Sequence, residues 1–174
     1  MSWITVFAMG ECQNPWMPQS KRSPIYWSFS GPDSWRMSVA QTSAAFVADP
    51  ELLFELEKRA TPIAIGGDRM LFRQGDVPRG VFILSKGVVR LTTRSDGDAV
   101  LSVQAAPGSL LGVPAVVGAK PYSLTAEALV GAEISLLGCD DFVHLMHTEP
   151  MLSFRVLQVL AEEVRFARES LSHL

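Results

Sequence analysis

The stretch LFRQGDVPRGVFILSKGVVRL, Leu71 to Leu91, decides how the rest of the chain is read. MLFR (70–73), GVFILS (80–85) and GVVRLTTR (87–94) read as short strands, separated by turn signals at Gly75-Asp76 and Lys86-Gly87. The same texture extends in both directions. IAI (63–65), AVLSVQA (99–105), YSLTAEALV (122–130) and AEISLLG (132–138) are further strand candidates, with Gly66-Gly67 and Asp96-Gly97 as punctuation. Asp96-Gly97 between LTTR and AVL is a hairpin signal, because both central turn positions want a positive φ. Many short strands joined by regular turns predict a mainly β fold with flanking helices, a double-stranded β-helix or jelly-roll barrel.

Helix signals bracket the strands. Asp49 suits an N-cap and Pro50 the first helical position. Glu51 in the first turn and Lys58 and Arg59 in the last complement the helix dipole, Leu52, Leu53 and Leu56 give an apolar face, and Pro62 stops the run. After the strands, Cys139 or Asp140 is expected to cap a short helix, DDFVHLMHT, and Pro150 opens a long one that runs to Leu174. Within it Leu157, Leu160, Val164, Ala167, Leu171 and Leu174 recur at alternating spacings of three and four, a heptad seam. Leu152, Val156, Val159 and Phe166 form a second apolar stripe. One stripe can cover the barrel while the other meets a partner helix, so the expected assembly is a homodimer held by Leu157, Leu160, Val164, Ala167 and Leu171.

Composition bounds the function. The chain has 174 residues, 48% of them apolar, enough for one domain with a full core. A net charge of −3 gives no basic footprint for nucleic acid. Cys12 and Cys139 are far apart and form no disulfide framework, so a reducing cytoplasm is the expected setting. Ala99 to Ala119 is uncharged but holds Pro107, Pro114, Gln104 and several Gly, which would break a lipid-exposed helix; no membrane role is expected. The first 36 residues hold all four Trp and follow no helical or strand period. They are expected to be a disordered tail or a leader ahead of Met37, the alternative being an aromatic arm that docks on a partner. Residues 37–148 are then the jelly-roll domain with its N-terminal helix, and 149–174 the dimerisation helix.

The order helix, strands, short helix, long helix resembles the cyclic-nucleotide-binding domain of Crp/Fnr-type regulators over roughly Asp49 to Leu174. Three anchors carry the resemblance: Leu71 to Leu91, PGSLLG (Pro107 to Gly112), and YSLTAEAL leading into AEISLL. It implies a regulatory or sensor module whose cofactor would be a cyclic nucleotide. In nucleotide-binding members the cassette runs Gly-Glu, a short helix, then Arg-Ser or Arg-Thr, with Glu on the ribose and Arg on the cyclic phosphate. Here Gly112 stands in place, Val113 takes the Glu position, Pro114 and Ala115 begin the short helix that ends at Val117, Tyr122 takes the Arg position and Ser123 is retained. Losing one partner of a buried charged pair costs about 2–5 kcal/mol, so the cassette is expected to be degenerate. Lys120 and Arg168 are the cations that could compensate; Ala167 and Arg168 fall where the family places base-contacting residues on the long helix. The best polar anchors for another ligand are Tyr122, Ser123 and Thr125, and Glu149-Pro150 is the expected hinge.

DNA-binding members carry a helix-turn-helix after the long helix. None follows Leu174 in this sequence, so direct DNA binding is not expected. The remaining readings are a stand-alone effector module, a truncated regulator, or a structural dimerisation or partner module whose cassette is filled by Val113, Val116, Val117 and Leu124. An enzyme is not expected. His144, His147 and His173 all lie in the C-terminal helices, whereas a metal-dependent cupin would place its ligands on strands. Asp140-Asp141 reads as helix capping, and no Gly-x-Ser-x-Gly elbow is present.

Overall fold

The computed structural model describes residues 41–65, 69–95 and 98–171. The expectations for residues 1–36, the turn residues Gly66-Gly67 and Asp96-Gly97, Cys12, His173 and Leu174 lie outside the described residues. In chain order the elements are β1 (Gln41–Ser43), α1 (Pro50–Glu57), β2 (Thr61–Ile63), β3 (Met70–Phe72), β4 (Gly80–Lys86), β5 (Val89–Ser95), β6 (Asp98–Ala105) and β7 (Leu110–Leu111). They continue with α2 (Val113–Gly118), β8 (Thr125–Ala128), β9 (Glu133–Gly138), α3 (Cys139–Thr148) and α4 (Pro150–Leu171).

The strands form two sheets, β1-β6-β5-β8-β3 and β2-β9-β4-β7. All pairings are antiparallel except β1 with β6. β5 and β6 pair from Val89↔Ala105 out to Ser95↔Asp98, the ladder expected on either side of the Asp96-Gly97 signal. A barrel interior lies between the sheets, built from Leu71, Phe72, Val89, Leu91 and Ala126 on one side and Phe82, Leu84, Leu111 and Ile134 on the other. This is the jelly roll that the strand pattern predicts.

β4 joins that interior to a second core. Phe82 and Leu84 point into the barrel, whereas Val81 and Ile83 pack with Leu110 and Leu137 against all four helices. Alternate side chains of a strand face opposite ways, and here both faces are covered, so the run GVFIL is apolar without interruption. Leu52 and Leu56 of α1, Phe142 and Leu145 of α3, and Leu152, Val156 and Val159 of α4 complete this layer.

Local signals hold in part. Asp49 caps α1, its Oδ1 accepting from the N–H groups of Glu51 and Leu52 at 3.1 Å each. Lys58 and Arg59 lie beyond the helix and pair with Glu55 at 2.6 and 3.3 Å. The strand expected at IAI begins earlier, at Thr61, and takes in Pro62, because β2 is an edge strand that can spare one N–H. β8 is shorter than the expected strand. Tyr122 precedes it, held instead by the β3–β4 loop: its N–H donates to Asp76 O at 2.9 Å and its carbonyl accepts from Gly75 N at 2.8 Å. The cap of α3 differs from expectation. Gly138 is the capping residue and makes no side-chain cap bond, while Asp140 and Asp141 sit in the first turn.

α4 is pinned at its start. Arg155 Nη1 donates to the capping oxygen of Asp49 at 2.7 Å, and Nη2 pairs with Glu51. One carboxylate thus caps α1 and ties it to α4. Asp49→Ala is expected to lower the unfolding free energy by about 1–2 kcal/mol, as an N-cap loss does. Arg155→Ala should cost about 0.2–1 kcal/mol, and the double variant less than the sum of the two, read by urea denaturation.

Candidate functional site

β7 feeds directly into the cassette. Gly112 follows it with φ +87°, a left-handed conformation that favours glycine, and precedes α2. Ala119 closes α2 with φ 48°, and Lys120 and Pro121 lead to Tyr122. Val113 is fully buried, but in the helix layer with Leu52 and Phe142 rather than in the barrel chamber. Gly112, Pro114 and Ala115 line the chamber, together with Tyr122, Ser123 and Leu124.

Tyr122 largely fills that chamber. Its ring stacks on Phe72 with centroids 4.0 Å apart and planes at 18°, and Phe72 in turn leans on Phe82 at 5.3 Å. The phenol donates to Gly80 O at 2.9 Å and accepts from Arg79 N at 3.1 Å. Burial pushes the phenol's pKa up, partly offset by these backbone bonds. Gly112 makes room for it. A Cβ on Gly112 would lie 2.7 Å from Tyr122 Cε1, and a Cβ on Gly80 would collide with Leu137 O at 2.1 Å, so Gly80 must lie close against β9 where the phenol reaches it. The space left is about 20 Å³. That accommodates about one water, against roughly 300 Å³ or more for ordinary small-molecule pockets.

A wider groove opens beside the chamber. About 500 Å³ lies between the barrel side (Phe46, Leu91), the cassette (Val117, Leu124) and α4 (Leu160, Glu163). Ser123 and Ala167 also line it. Arg168 and Lys120 are exposed and line neither space. Thr125 accepts from Gln74 N at 3.0 Å and so helps close the loop above Tyr122. The expected dimer seam divides: Leu157 and Val164 are 57% and 50% exposed, Ala167 is exposed, Leu160 is half-buried, and the side chain of Leu171 lies outside the described residues. The second stripe faces inward, with Leu152, Val156 and Val159 buried and Phe166 edge-on to Phe46 at 6.3 Å.

Glu163 was not singled out by the sequence reading. The signal was present: Leu152, Val156, Val159 and Phe166 leave one slot in their alternation of four and three, and Glu163 occupies it. The half-buried Glu163 lines both the chamber remnant and the groove. Burial pushes its carboxyl pKa up to about 7. Elsewhere, His144 and His147 are exposed on α3, and among the described residues no cluster of three or more His, Cys, Asp and Glu has metal-site geometry. Among the described residues no helix is long and apolar enough to cross a membrane.

Tyr122→Phe keeps the stacking and removes the bonds to Gly80 O, which is left buried, and to the part-buried Arg79 N. It is expected to cost about 1–3 kcal/mol in urea unfolding, with little change in the denaturant slope.

Residues 64–149 match the family model of the cyclic nucleotide-binding domain. No curated protein matches the chain in sequence. Among solved structures, the chain is similar to the catabolite activator protein of Thermus thermophilus, with 23% identity and a TM-score of 0.62. That match covers 71% of this chain and 59% of the Thermus protein, so the chain spans less than two thirds of that relative's length. The N-terminal domain of a transcriptional regulator from Streptomyces coelicolor A3(2) is similar at 23% identity and a TM-score of 0.53, over 70% of this chain and 85% of that one. Oxidized CprK in complex with o-chlorophenolacetic acid is similar at 14% identity and a TM-score of 0.59, over 74% and 53% of the two chains. The two-sheet barrel, the segment between β7 and β8 and the long closing helix agree with the fold of these structures, and residues 64–149 belong to the cyclic nucleotide-binding domain family.

Proposed function

We propose that this chain is a regulatory module whose cassette no longer takes a cyclic nucleotide in the family's manner, and which works as a homodimer through α4. The observation that carries the reading is Tyr122. Where the resembled cassette places Arg on the cyclic phosphate, this chain has a buried ring that leaves about 20 Å³ of the chamber. Val113 removes the ribose-binding carboxylate as well, and it faces the helix layer. A nucleotide entering the chamber would have to expel the ring, break its stacking on Phe72 and leave Gly80 O and Arg79 N unpaired. Neither Lys120 nor Arg168 lies at the chamber to take over the phosphate. A fold of the same kind carrying o-chlorophenolacetic acid is compatible with an effector other than a nucleotide.

For the assembly, Leu157 and Val164 of α4 are exposed in the single chain, Val164 at the groove, where a second helix would cover them. The module transmits occupancy of its effector site through α4, whose inner stripe meets the barrel and whose outer stripe meets the partner, with Glu149-Pro150 as the hinge. The protein acts in the cytoplasm and catalyses no reaction.

A calorimetric titration of cyclic AMP, then cyclic GMP, into the full chain tests the cassette. No saturable heat is expected below millimolar nucleotide, and micromolar binding would overturn the reading. Sedimentation of the same protein is expected to report a dimer that Val164→Glu converts to monomer; an unchanged mass would remove the role given to α4.

A further inference from the structure

The groove beside the cassette has a chemical asymmetry that its apolar walls make conspicuous. Phe46, Leu91, Val103, Leu124, Leu160 and Phe166 supply most of its surface. Ser123 is the other polar side chain in it, and Glu163 is the single ionisable one. Among the described residues Glu163 has no hydrogen bond and no ion pair, while the nearest charges along α4, Glu162 and Arg165, are paired with each other. A carboxylate among apolar side chains is costly when unpaired and strongly favoured when it meets a cation there. Its pKa, pushed up to about 7 by burial, expresses the same cost. The groove is also of the size of ordinary ligand sites, at about 500 Å³.

We propose that this groove binds a small apolar molecule bearing a protonated amine, with the carboxylate of Glu163 as its counter-ion. The inference rests on the reading of the chain as an effector module, but on different residues from those that close the cassette. Charge complementarity selects the occupant: an apolar body fits the walls, and an ammonium group answers the one unanswered charge. Glu163 also lines the chamber remnant beside Tyr122, so the ammonium would sit where the cassette loop, the barrel and α4 meet. Engagement there reaches both stripes of α4, since Phe166 of the inner stripe and Leu160, Val164 and Ala167 of the expected seam line the same groove.

The test uses matched probes that share one ring and differ in one group: 2-phenylethylamine, 2-phenylethanol and 3-phenylpropionate. Each is titrated calorimetrically into the full chain at pH 8. The amine is expected to bind at least about tenfold more tightly than either of the others, the order of effect for a charge-assisted contact. Glu163→Gln should bring the amine down to the affinity of the alcohol and leave the alcohol unchanged. With the wild-type chain, amine affinity should fall by about tenfold per pH unit below about pH 7, as Glu163 takes up its proton; the Gln variant should show no such slope. Folding supplies the control. A carboxyl whose folded-state pKa is raised stabilises the fold at low pH and loses that contribution as pH rises from about 4.5 to about 7. The wild-type unfolding midpoint should therefore decline across that range, and the Gln variant, which stays folded, should lack this part of the decline. Equal binding of the three probes, an amine preference that survives in Glu163→Gln, or no saturation by any probe at millimolar concentration would each overturn the proposal. So would amine binding that disappears as protein concentration is raised into the dimer range, which would give the groove to a second copy of the chain. Micromolar binding of a cyclic nucleotide would overturn the cassette reading alone, and the probe series distinguishes the two failures.

Discussion

β4 is the element on which the architecture depends, because it is buried on both faces. Val81, Phe82, Ile83 and Leu84 are all completely inaccessible, and they alternate between two cores. Full burial of each such side chain contributes about 1.5–3 kcal/mol. The strand therefore commits the chain twice: once to closing a barrel over Phe82 and Leu84, and once to laying helices on Val81 and Ile83. A slip of one residue would exchange the two sets, placing each against a layer shaped for the other. The pairing of β4 with β9 over Gly80↔Gly138 to Lys86↔Glu133 fixes that register. α3 follows β9 without a gap and α4 follows α3 across a single residue, Glu149, so the long helix inherits its placement from the same ladder.

Between β7 and β8 one side chain occupies the space that the backbone frames. β7, the left-handed Gly112 and the six-residue α2 form that frame. Tyr122 enters the space they frame and finds a stacking partner, a carbonyl and an N–H there. It satisfies its hydroxyl and buries its ring at once, which makes the closed chamber a packed core rather than an empty site. The groove alongside is the reverse case, since its walls are complete and its one charged group is unanswered.

Much of this was legible in the sequence because the relevant signals are local. Asp49-Pro50 specifies a helix start by itself, and Asp96-Gly97 predicts the β5–β6 pairing around it. The two stripes on α4 could be separated by spacing alone. Other features depend on contacts distant in the chain. β1 and β7 are too short to carry a period, and they exist through partners 62 residues away in β6, as in Gln41↔Val103, or in β4. Tyr122 looked like the start of a strand because aromatic residues favour strands, but Asp76 and Gly75 capture its backbone, which no local pattern reveals. Residue identity could say that Tyr122 replaces an Arg of the resembled cassette. It could not say that the phenol would reach Gly80 across 42 residues of chain and so occupy the chamber. Glu163 went unremarked because a reader of stripes collects the apolar members, whereas a carboxylate in an apolar slot is the informative exception.

The closure of the chamber has a historical corollary. On the proposed reading, a lineage leading back to a nucleotide binder would have to restore both cassette charges, and the two positions differ in what surrounds them. Val113→Glu would put a lone carboxylate among Leu52, Phe142 and their neighbours, at a position with no exposure. Tyr122→Arg would lose the stacking on Phe72 and the bonds to Gly80 O and Arg79 N, with Glu163 in the same chamber as the carboxylate it could meet. An unpaired buried charge costs about 3–5 kcal/mol, a large share of the 5–15 kcal/mol that keeps a typical domain folded. The step through Val113 thus crosses a valley of poorly folded intermediates, and a chamber sealed by a well-packed tyrosine acts as an evolutionary ratchet: innovation in ligand recognition has easier passage through the open groove than through the closed chamber.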